Sequence, residues 1–194
     1  MKLISNFLKR VKPIKPTNQM LNEKEYWQVI QRSLTKALNQ KDQENYIHLH
    51  LLSNSVEYIL GFHLRTEKLL FDLYNSNMWC ASYIINGSAD DDEFLSFRNW
   101  VISRGQLTYQ ETKITPDFLI TELTDNKSYY DFKGFDLIAK QAFLSKTGRV
   151  LDKYISEAFL YHKANYLHID INWKIYQAES MKKQCPNLFQ KLWH

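Results

Sequence analysis

Four consecutive acids, Asp90, Asp91, Asp92 and Glu93, are the densest group of side chains in this sequence that could do chemistry. Clustered carboxylates bind hard cations through oxygen and raise one another's proton affinity, which makes Asp91 and Asp92 candidates for a metal ligand or a general base. Arg98 follows, one turn beyond Phe94 and set among aromatic residues, and its planar guanidinium suits an anion anchor. With Trp79, Trp100 and Arg104, these residues form the candidate ligand- or partner-binding set. Each has a structural role to set beside the functional one. Asp90 and Glu93 have capping-box spacing at the start of a helix, where carboxylates accept free backbone N–H groups. Consecutive residues diverge along a helix, so the four acids cannot grip one ion, and a cap is the simpler account. For Arg98 the structural role is an ion pair with a neighbouring acid, its stem lying on Trp or Phe.

The histidines add little. His48-x-His50 would share a face only in a strand, whereas its surroundings read as helix; His168-x-Asp170 stands in a more strand-like context. His63, on an apolar stripe, reads as a hydrogen-bonded core histidine. No Gly-rich phosphate loop, nucleophile elbow or paired metal motif is found, so neither a catalytic set, a metal nor a cofactor is expected.

The elements that must carry these residues are helical. Asn22 with Glu25 opens a helix marked by Trp27, Ile30, Leu34, Ala37 and Leu38; Tyr46 to Leu52 is a shorter one. Asn54 with Glu57 opens a long helix whose stripe runs from Val56 to Tyr74. Met78 to Ile85 reads as a buried helix stopped by Asn86-Gly87. Phe94, Phe97, Trp100 and Val101 mark the next, stopped by Gly105. Thr115-Pro116 starts a short helix to about Leu123. Phe135 to Phe143 gives another, closed by Gly148, and the same period continues from Leu151 to His162. Cys185-Pro186 to Trp193 reads as a last helical turn or two. Only Leu167, Ile169, Ile171 and Trp173 alternate as a strand would. The expected fold is mainly α, a single bundle-like array of helices over residues 17–194, with at most one short strand near 167–173 and a basic tail at 1–16.

The stretch from Trp79 to Gly105 also resembles a bacterial family, domain of unknown function 4240. The resemblance rests on Trp79-Cys80-Ala81-Ser82, the turn Asn86-Gly87, the acids Asp90 to Glu93, Phe97-Arg98-Asn99-Trp100 and Gly105. It extends to Tyr26-Trp27, Ile30, Thr115-Pro116-Asp117, Phe135 to Gly148, and Pro186 with Leu188. Two departures stand out: the family's turn is richer in Gly and carries a Cys, and its usual Gly-Arg is here Gly105-Gln106, leaving Arg104 to reach that space. The resemblance implies no particular reaction.

Composition narrows the function classes. Of 194 residues, 44% are apolar and 14% aromatic, a load that needs a core or a large binding face. Cys80 and Cys185 are distant in sequence and lack metal-ligand spacing, as free thiols in a reducing cytosol would be. No run approaches the ~20 apolar residues of a membrane span. Lys2, Lys9, Arg10, Lys12 and Lys15 lie in the tail without an acid, while the other 20 basic residues face 21 acidic ones. Nucleic-acid or membrane binding therefore rests on the tail alone, where Leu3, Phe7 and Val11 share a helical face that could equally pack on the domain. The leading expectation is a non-enzymatic cytoplasmic module that recognises another protein through aromatic surface near Trp79, Arg98 and Trp100. The alternative is an enzyme or binding protein for a small charged ligand, with Asp91 or Asp92 as base or metal ligand and Arg98 as anchor; it requires all three to project into one cleft.

Overall fold

The computed structural model describes residues 13–87, 90–125, 128–164, 169–175 and 177–193. The stripe Leu3, Phe7, Val11 and the pair member His168 lie outside them. Polar caps start the first helices. The Asn22 side chain accepts N–H bonds from Lys24 and Glu25 ahead of α1 (Glu23–Lys36). Asn39 accepts from Asp42 N–H ahead of α2 (Gln40–Ser53), and Ser55 accepts from Tyr58 N–H ahead of α3 (Val56–Asp72). The cap of α3 is thus one residue later than Asn54, whose amide instead donates back to the His50 carbonyl at 2.8 Å. Asn75 caps α4 (Ser76–Asn86), which ends at Gly87 with φ +76°, a left-handed conformation where glycine carries no Cβ penalty.

After α5 (Asp91–Ser103), Gly105 does more than stop a helix. Its φ of +101° turns the chain directly into α6 (Gln106–Ile114), an element the apolar pattern of the sequence does not announce. Pro116–Glu122 is a 3-10 helix rather than an α-helix, and a 3-10 turn at Phe135–Leu137 leads into α7 (Ile138–Thr147). The periodic stretch from Leu151 divides: a 3-10 turn at Leu151–Tyr154, extended Ile155, then α8 (Glu157–Ala164). Two short helices, α9 (Ala178–Gln184) and α10 (Pro186–Leu192), complete the described chain.

The architecture is all-α, with no strand among the described residues. Ile169 to Trp173, the described part of the alternating segment, is extended chain bound to a helix start instead of to a strand: Trp173 Nε1 donates to the Ser76 carbonyl at 2.9 Å and Asn172 N–H to Ser76 Oγ at 3.0 Å. Ile59, Leu60, Phe62 and Leu64 of α3 are buried at the centre, and α3 packs against α1, α2, α5 and α7. The C-terminal pair α9–α10 packs on α4. Buried Asp117 fixes it there by accepting the first N–H groups of α10, from Asn187 at 3.0 Å and Leu188 at 3.1 Å.

The chain preceding α1 is also part of the packing. Ile14 lies against the core, Thr17 exchanges backbone bonds with Tyr154 and Ser156, and Leu21 N–H donates to the Gly61 carbonyl at 2.8 Å. Among the described residues no helix is long and apolar enough to cross a membrane.

Candidate functional site

The acids begin α5 as a capping box. Asp90 accepts the Glu93 N–H at 2.8 Å, and Glu93 returns the bond from Asp90 N–H at 3.3 Å. Asp91 and Asp92 are exposed in the same first turn. Arg98 is elsewhere: it is buried, with Nη1 donating to the Leu70 carbonyl at 2.8 Å and Nε to the Phe94 carbonyl at 3.3 Å. Its guanidinium carbon lies 4.6 Å from the Phe94 ring centre and 4.8 Å from that of Tyr74. Carbonyls and aromatic faces, rather than the expected carboxylate partner, hold this cation. Burial pushes its pKa down to about 10, so it stays charged near neutrality. Trp79, half-buried, stacks on Phe94 with ring centres 4.5 Å apart. Trp79, Tyr74, Phe94 and Arg98 therefore form one packed stack, and Asp91 and Asp92 do not join Arg98 in a cleft.

The other two candidates do meet. Trp100, buried, and Arg104, half-buried at the end of α5, line a cleft of about 270 Å³ against the α1–α2 connection. Leu34 and Leu38 supply its apolar wall, and Gln40 and Gln43 from the start of α2 supply amides. Leu38 follows the end of α1 and is 95% exposed, so it leaves the apolar stripe that the spacing from Leu34 suggested. Gln43 is held rigidly: its Nε2 donates to Ser33 Oγ and to the Ser103 carbonyl, and its Oε1 accepts from Arg104 Nη2 at 3.3 Å. Arg104 Nε is closed off from solvent and has no acceptor among the described residues. Burial lowers the Arg104 pKa, with Glu122 opposing the shift.

Other groups with chemical potential are structural. His63 is buried on α3 with Nε2 3.9 Å from Glu67 Oε1. His50 meets Tyr58 Oη at 3.3 Å, and burial with nearby Arg32 lowers its pKa. Cys80 and Cys185, distant in sequence, are both buried and in contact; that contact and burial push the Cys185 thiol up, which leaves it protonated and a poor nucleophile. No three His, Cys, Asp or Glu residues among those described converge as a metal set. Asn99 and Asp136 were not singled out by spacing: Asn99 Nδ2 donates to Asp136 Oδ1 at 2.7 Å, tying α5 to the turn before α7.

Thus the motif from Trp79 to Gly105 forms two packed faces of α5, one around Arg98 and one around Trp100. A family described as protein of unknown function (DUF4240) matches residues 21–145, well over half of the chain. The chain belongs to this family. The DUF4240 match contains α1 to most of α7, hence both α5 faces and the Arg104 cleft, and it ends before Pro186 and Leu188. Neither curated proteins nor solved structures gave a match.

Proposed function

We propose that this chain is a non-enzymatic cytoplasmic module that binds another protein, using the cleft between the α1–α2 connection and the end of α5. The carrying observation is the cleft's size and rim. At about 270 Å³ it is large enough to admit a partner's side chain. Leu38 stands at its edge with its side chain in water, apolar area that a docked partner would cover. The alternative of a small charged ligand at Asp91, Asp92 and Arg98 has less support, because Arg98 is already engaged by Leu70, Tyr74 and Phe94.

The test compares the parent with Leu38→Asp in the cells the protein comes from. A partner held in stoichiometric amount by the parent and lost by the variant, with equal melting temperatures, is the expected result. Undiminished retention by Leu38→Asp would reject this face.

A further inference from the structure

We infer that the Arg104 cleft is a carboxylate subsite, built to take an acidic side chain of the partner protein. The inference rests on the proposed binding reading and specifies what that surface recognises. Arg104 lines the cleft, and no carboxylate among the described residues lies within ion-pairing distance of it. Among the described residues its one side-chain bond, to Gln43 at 3.3 Å, is long and goes to a neutral amide. A half-buried cation with that environment gains from an anion that replaces lost hydration.

The surroundings select the kind of anion. Gln40 and Gln43 stand in the first turn of α2, whose positive dipole end adds to the charge there, although Asn39 already takes the Asp42 and Gln43 N–H groups. Opposing them, Asp42 accepts the Leu38 N–H at 3.2 Å and Glu122 acts on Arg104 from beyond ion-pairing distance, so little net positive charge is left for a ligand. A single negative charge suits that balance better than a phosphate dianion. Leu34 and Leu38 then offer contact to an apolar stem behind the charge, which an aliphatic carboxylate has and inorganic phosphate lacks.

The test is a titration of the full chain with isovalerate, isovaleramide and inorganic phosphate, followed by NMR at the Arg104 Nε–H and the backbone amides of Gln40 and Gln43. Isovalerate should shift all three saturably, with weak affinity as befits a fragment, and isovaleramide and phosphate should each bind at least tenfold more weakly. Arg104→Gln, which keeps hydrogen-bonding capacity and loses the charge, should abolish the isovalerate response while the rest of the spectrum stays folded. Equal binding of the amide, stronger binding of phosphate, or an unchanged response in Arg104→Gln would overturn the carboxylate assignment. If the partner is lost with Leu38→Asp yet retained by Arg104→Gln, the binding face stands and the subsite falls. If isovalerate binds as stated while Leu38→Asp keeps its partner, the reverse holds.

Discussion

Asp90 and Arg98 show how residues that look chemical become structural through their immediate neighbours. Asp90 closes a reciprocal cap with Glu93, so Asp90→Ala should cost about 0.5–2 kcal/mol and Asp90→Asn much less, since the amide oxygen still accepts the bond. Denaturant midpoints measure both, and magnesium or calcium should shift neither the parent nor an Asp91→Asn, Asp92→Asn double variant. A metal-dependent stabilisation lost only in that pair would restore the cation reading. For Arg98, two effects oppose. Arg98→Met relieves the burial of a charge, but it leaves the Leu70 carbonyl without its donor and removes two ring contacts. A net loss of about 1–2 kcal/mol is expected, and a gain would show that desolvation wins. The folded pKa of about 10 lies below the ordinary 12.5. The cost of burying the charge is therefore constant below about pH 10, and stability rises with pH only above it. Across about pH 6 to 9 the parent and Arg98→Met should give parallel stability curves.

At the scale of elements, close approach matters as much as apolar period. Gly61 sits where the chain before α1 crosses α3, and a Cβ there would fall 2.9 Å from the Leu21 backbone nitrogen. Gly61→Ala gains up to about 1 kcal/mol of helix propensity but must displace backbone, so a net loss of about 1–2 kcal/mol is expected in chemical denaturation. Unchanged or raised stability would mean the Leu21 segment moves freely. Most helices were legible because caps and 3.6-residue stripes are local signals: Asn22, Gly87, Asp90 and Gly148 mark boundaries close to those observed. The failures are nonlocal. The described part of the alternating Leu167 to Trp173 segment is extended because Trp173 and Asn172 bond to Ser76, nearly a hundred residues away, which no window of sequence contains. α6 was missed because it begins at once after Gly105, a residue read as punctuation. The candidate residues were individually sound to notice, but spacing along α5 could not tell that Arg98 and Arg104 face different neighbours, Leu70 and Gln43.

At the scale of the whole molecule, the buried groups that look reactive and the proposed binding cleft lie apart. Arg98, His63 and the two thiols are enclosed by α3, α4, α5 and the C-terminal helices, while Trp100 and Arg104 reach a cleft whose rim carries exposed Leu38. The proposed binding role fits that combination: rigid support behind a small, specific contact. The most direct measurement places a photo-crosslinking side chain at position 38 in one variant and at position 91 in another, each irradiated in the cells of origin. The account predicts one dominant protein adduct from position 38, suppressed by an added Arg104→Gln substitution, and none from position 91. An adduct from position 91 with none from position 38 would contradict it and return the function to the acidic start of α5.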